Sequence, residues 1–311
     1  MPRDRSNGPV PWENPVWILL IGLGGFLVGV GILLVGFWAS DRSREFVGTI
    51  GFSVWAAVVG VQTAYWALVA GPLWADLATV WREDAPARRA VVTLTMALAV
   101  ILLIPPVIAL TAHSHRALSP LWGHTVKTMV LTVVGGSAVG LPALAGIAIV
   151  QHQVGRGARA AVDKDDVAAA LRARARILRF LSVAGAVIGL AILAAGALRR
   201  ASVPRYLSES EFPQEAVMLY GAFFTGVLLL VYAPAHLALR QFGTRIRDHY
   251  FPPEMMPAPS SDDLRGWLDK RSALEGLLQL DVTASQQLQA SLFILAPLLS
   301  AVITTLAPKS T

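Results

Sequence analysis

His113, His115 and His124 are the residues whose type and spacing come nearest to reactive chemistry in this chain. Imidazoles two residues apart diverge on a helix, but from a loop or strand both can reach one zinc ion. No Asp or Glu lies between His113 and His124 to complete such a site, so interfacial polar residues are the simpler reading. His236 follows Tyr232 by one helical turn and reads as a packed or hydrogen-bonded imidazole. His152 and His249 read as solvated boundary residues. The chain has no cysteine, which removes thiolate catalysis, disulfides and Cys-based metal sites together. It contains no HExxH, no P-loop, no GxSxG elbow and no kinase signature. The Gly-x-Gly spacings near Gly22–Gly31 lie in a long apolar run, where a dinucleotide loop would not be. No catalytic, cofactor-binding or metal-binding residue is assigned.

Three other groups remain to be weighed. Gln62, Thr63, Tyr65, Tyr220, Thr225 and Tyr232 are uncharged polar residues in apolar surroundings. They can line a path for a neutral solute or make interhelical hydrogen bonds. Glu209, Glu211 and Glu215 form an acidic group beside Arg199, Arg200 and Arg205, and read as a solvated loop. Arg172, Arg174, Arg176 and Arg179 form a basic run that can hold anionic lipid, each base contributing about 1 kcal/mol near a charged surface.

The elements that must position these residues follow from composition. Of 311 residues, 55% are hydrophobic and 15% charged, against about 25% charged in ordinary soluble proteins. A helix crosses the hydrocarbon with roughly 20 apolar residues. Seven candidate spans meet or approach that length: Val16–Ala39, Phe46–Trp74, Ala90–Thr111, Thr128–Val150, Ile177–Leu198, Ala216–Leu239 and Ala290–Ala307. The last is short and carries four hydroxyl residues, so it either spans or re-enters. The first is too long for a signal-peptide core and lacks a small-x-small cleavage pattern.

The 26 Lys+Arg residues exceed the 20 Asp+Glu by six, and 22 of the 26 are arginines, which points to a GC-rich bacterial genome. Nucleic-acid binding is the other use of such a balance, but retention of bases on the cytoplasmic side accounts for it better. With the N-terminus inside, 18 bases fall in cytoplasmic segments and 8 outside. Seven spans then leave the C-terminus outside, and a re-entrant last segment leaves it inside. Trp12, Trp17, Trp38, Trp74, Trp81 and Trp122 lie near predicted span ends, where amphipathic rings prefer the interface. The middle of every span lacks Asp, Glu, Lys and Arg, which argues against proton-coupled transport and intramembrane aspartyl proteolysis. Lys127 and Asp76 are placed at interfaces.

The cytoplasmic side has helical extensions at about 151–176 and 240–287. Asp163-Lys164-Asp165-Asp166 reads as a helix start whose stem enters the fifth span, and Phe251-Pro252-Pro253 ends the sixth. Ser261 offers an N-cap to a helix with the apolar stripe Leu264, Trp267, Leu268, Leu274, Leu277 and Leu278. Gly22, Gly25, Gly29 and Gly36 share one face of the first span. Internal packing explains them better than dimerisation. Prolines 105, 106, 142, 234 and 297 fall within spans and predict kinked helices.

The expected architecture is all-α: one integral membrane domain over residues 1–311, a polytopic transmembrane helix bundle with a small cytoplasmic helical cap, in the plasma membrane. The expected role is a non-enzymatic scaffold, accessory subunit or effector. Its expected partners are the lipid bilayer, anionic lipid near Arg172, Arg174, Arg176 and Arg179, and a membrane protein or a second copy of the chain, without nucleic acid. A channel or transporter for a neutral solute is the alternative. An interfacial lipid-modifying enzyme built on His113, His115 and His124 is third.

Overall fold

Asn14 opens the first helix: its side-chain oxygen accepts from the Val16 N–H at 2.9 Å. Pro15 follows at the first helical position, where a missing N–H is not needed. The computed structural model describes residues 14–83, 120–203, 205–258 and 262–280, with a few helical positions between 92 and 100. Among the described residues all regular structure is helical. The chain runs α1 (Pro15–Leu34), a 3-10 turn (Phe37–Ala39), α2 (Asp41–Val47) and α3 (Ile50–Glu83). It continues as α4 (His124–Gly135), a π turn (Gly136–Gly140), α5 (Leu141–Gly157), α6 (Asp166–Ser202), α7 (Gln214–Tyr250) and α8 (Asp262–Leu278).

Five helical stretches are long and apolar enough to cross a membrane: Pro15–Ala39, Ile50–Arg82, His124–Gly157, Asp166–Ser202 and Gln214–Met255. They coincide with five of the seven expected spans. Ala290–Ala307, and Ala90–Thr111 apart from a few helical positions, lie outside the described residues. The second span begins later than the apolar run does. Gly36 takes a left-handed φ of 67° and closes α1. Ser40 then caps α2 by accepting from the Ser43 N–H at 3.1 Å, which places Phe46 and Val47 in this separate short helix. Thr49 restarts the chain as α3, its hydroxyl accepting from the Phe52 N–H.

Helices α6 and α7 each have 37 residues, about 55 Å at 1.5 Å per residue. That exceeds a hydrocarbon core of about 30 Å, as the expected stems require. The core lies among α3, α5, α6 and α7, where Trp55, Ile147, Phe180, Ile192 and Leu228 are buried. α1 is peripheral and leaves Leu19, Leu23 and Leu27 exposed. It touches mainly α3, through Gly25 and Gly29, which face Thr63, Ala64 and Ala67. The expected internal role of this glycine face is what the structure shows.

A π turn stands just before Pro142. A proline has no N–H for the carbonyl four residues back, and its ring crowds that oxygen. Here that carbonyl belongs to Ala138. The helix widens over Gly136–Gly140, with the Leu141 N–H donating five residues back to Gly136. Trp74 supplies the missing donor: its indole Nε1–H reaches the Ala138 carbonyl at 2.9 Å. The tryptophan assigned from sequence to an interface therefore satisfies a specific backbone oxygen.

Candidate functional site

At the α2 end of the bundle, Gly123 turns the chain with a φ of 64° and α4 begins at His124. This delivers His124 and Lys127, one turn apart, against the end of α1. Lys127 is buried, and its Nζ donates to the Leu33 carbonyl at 2.9 Å. A cation at the C-terminal end of a helix meets the negative end of its dipole. The same Nζ stands 5.8 Å from the Trp122 ring. Lys127, expected at a membrane interface, closes the end of α1 from inside the bundle. His124 is 5.9 Å from the Trp55 ring, and its buried Nδ1 has no hydrogen-bond partner. His113 and His115 lie outside the described residues. Among the described residues no group of three His, Asp or Glu side chains is placed to hold a metal.

Ser43, fully buried, ties this corner together by accepting from the Trp122 N–H at 3.2 Å. Ser43→Ala leaves that amide without its acceptor, and the expected cost is about 1 kcal/mol. A lower melting temperature in purified protein checks it, with the exposed Ser53→Ala as the neutral comparison.

The acidic group at 209–215 divides into local tasks. Glu209 pairs with Arg199 at 3.8 Å. Glu211 accepts from the Ser208 N–H at 2.7 Å and its hydroxyl at 2.8 Å, and these bonds hold its carboxyl below the usual range. Glu215 lies in the first turn of α7, at the positive end of that helix. The nearby Tyr206 ring packs edge-on against Phe46 and is flanked by Arg42 and Arg205.

The opposite end carries α8. Leu278 is buried, and Leu264, Trp267, Arg271 and Leu274 are partly covered, so one stripe of this helix faces the stems of α6 and α7. Leu268 and Leu277, read from sequence as part of the stripe, are about half exposed and flank it on either side. Sequence reasoning missed the polar latch. Glu275 accepts from Arg247 at 3.1 Å and from Arg271 at 3.3 Å. Asp248 pairs with Arg247 at 2.7 Å and lies 3.6 Å from Arg271. Arg271 also donates to the Phe251 carbonyl and lies over the Trp267 ring, which meets Phe251 edge-on. The four-residue spacing of Arg271 and Glu275 was the one visible signal for this network.

The basic run on α6 is largely engaged with protein. Arg174 donates to the Leu278 carbonyl at 3.2 Å and so caps the end of α8. Arg179 pairs with Asp76 at 2.8 Å. Tyr232 and His236 pack with ring centroids 5.7 Å apart, as their spacing suggested. Of the uncharged polar residues, Thr63 returns its hydroxyl to the Val59 and Gly60 carbonyls, and Thr225 to that of Gly221. An open groove of about 760 Å³ lies on α7 beside the turn after α5. Another, of about 680 Å³ and nearly all apolar, lies at the start of α7.

Comparison of the chain with protein families, with curated proteins and with solved structures finds no match.

Proposed function

We propose that this chain is a non-enzymatic component of the plasma membrane that works through a protein partner held at its helical cap, with the cap and the N-terminus in the cytoplasm. The observation that carries the reading is the way α8 is mounted. Its inner stripe is fixed by Arg247, Asp248, Arg271 and Glu275, while Leu268 and Leu277 stay exposed at its margins. A helix held that firmly is a fixed platform, and binding energy is not spent on ordering it. Two of the polar side chains expected to line a path are engaged within their own helices. The Thr63 and Thr225 hydroxyls are taken by their own helix backbones, and neither groove is lined by them.

The test is crosslinking and affinity purification from native membranes. Leu268→Ser with Leu277→Ser, both at exposed positions, is expected to lose a stoichiometric partner while the melting temperature holds. Arg271→Gln is expected to lose the same partner by loosening the platform. A chain recovered alone, or a partner retained by all variants, would overturn the proposal. In the first case solute flux in liposomes becomes the next measurement.

A further inference from the structure

The groove on α7 lies where an apolar face becomes a basic one. Leu230 and Leu237 are exposed two turns apart on that face, at 63% and 56%. Leu237 lines the groove, and the next turns bring Gln241 and Thr244 onto the same face. Arg240 and Arg245 flank this face, one on each side. Val162, from the turn after α5, lies across from them.

The charges differ in how they are engaged. Arg245 donates to the Ala158 carbonyl and is thereby fixed to that turn. Arg240 is exposed, with no ion pair or hydrogen bond among the described residues. Asp248 is the acid in the lining, and its Oδ1 is already held by Arg247 and approached by Arg271. His249 adds a further imidazole at the rim. Two guanidinium groups, one of them engaged by the Ala158 carbonyl, line the groove with an amide and a hydroxyl beside exposed leucines. Guanidinium groups and hydroxyls are suited to phosphate oxygens, and the leucines to an acyl chain.

We propose that this groove binds the phosphate-bearing headgroup of an anionic phospholipid, with the acyl chain along Leu237 and Leu230. The lipid source follows from continuity: a free phosphate has no use for the leucine stripe that runs out of the groove. The site rests on the chain lying in a bilayer, but it does not depend on a protein partner at the cap.

The experiment uses the full chain in nanodiscs of phosphatidylglycerol and phosphatidylcholine in equal amounts. Lipids retained after transfer to mild detergent are counted by native mass spectrometry. The protein is expected to retain phosphatidylglycerol preferentially. Arg240→Gln is expected to cut that preference about fivefold, the equivalent of about 1 kcal/mol for one base near the headgroup. Gln241→Glu, which sets an acid on the groove face, provides a second loss independent of how the first variant folds. Arg265→Gln, on the exposed side of α8, is expected to leave the preference unchanged. Equal retention of the two lipids would overturn the proposal. So would an unchanged preference in both groove variants, or an equal loss in Arg265→Gln. Displacement of the lipid by inorganic phosphate alone would assign the groove to a soluble anion and overturn the lipid.

Discussion

Gly25→Leu is expected to detach α1 from the bundle. A Cβ at position 25 would stand 2.8 Å from the Thr63 carbonyl oxygen and 2.9 Å from the Ala64 Cα. Both are backbone atoms of α3, so no side-chain rotation relieves the clash. Overpacking of this kind costs about 1–3 kcal/mol, and a collision with backbone belongs at the upper end. Much of α1 is exposed, so its attachment rests on this seam with α3 and on the Leu33 end that Lys127 closes. The cysteine-free chain gives a direct readout. A Cβ at Gly22 would lie 3.5 Å from the Leu68 side chain, so cysteines introduced at 22 and 68 should join through a short crosslinker. Gly25→Leu is expected to abolish the crosslink, and Gly24→Leu, with open space at that position, to preserve it. Identical behaviour of the two variants would refute the seam.

Trp74→Phe is expected to destabilise the protein by about 2 kcal/mol, because it strands the Ala138 carbonyl that Pro142 cannot serve. In the bilayer proposed for this chain, water does not replace the indole there. The effect depends on the proline. In a Pro142→Ala background residue 142 regains an N–H, the helix can close on Ala138, and Trp74→Phe is expected to cost little. A double-mutant cycle on melting in detergent measures the difference, and additive losses would mean that the indole acts only by filling space.

The long elements were legible because their signals are long. Apolar runs located five of the helices. The acids at 163–166, together with Phe251-Pro252-Pro253, located the start of α6 and the end of α7 to within a residue or two. What sequence could not show was the pairing of residues far apart in the chain. Trp74 with Ala138, Lys127 with Leu33, and Arg174 with Leu278 join positions whose proximity depends on helix packing. Composition placed Trp74 and Lys127 near an interface because amphipathic residues favour it, but it could not name the backbone acceptors that each of them serves. The stripe on α8 was legible in period but too wide. Six apolar residues suggested the face, and the latch determined which of them turn inward. The groove on α7 left no sequence signal, since its arginines look like any bases retained near a membrane.

The glycine seam also bears on the order in which the molecule is assembled. It joins the first two long helices of the chain, and both halves have been synthesised once Glu83 has been added. The contact joins positions about 40 residues apart and needs no later element. α1 and α3 can therefore associate as a hairpin while the remaining helices are still being made. α3 then presents a fixed surface to α5 and α6 as they arrive, and a defect at Gly25 would show first as a fault in the pairing of these helices during synthesis.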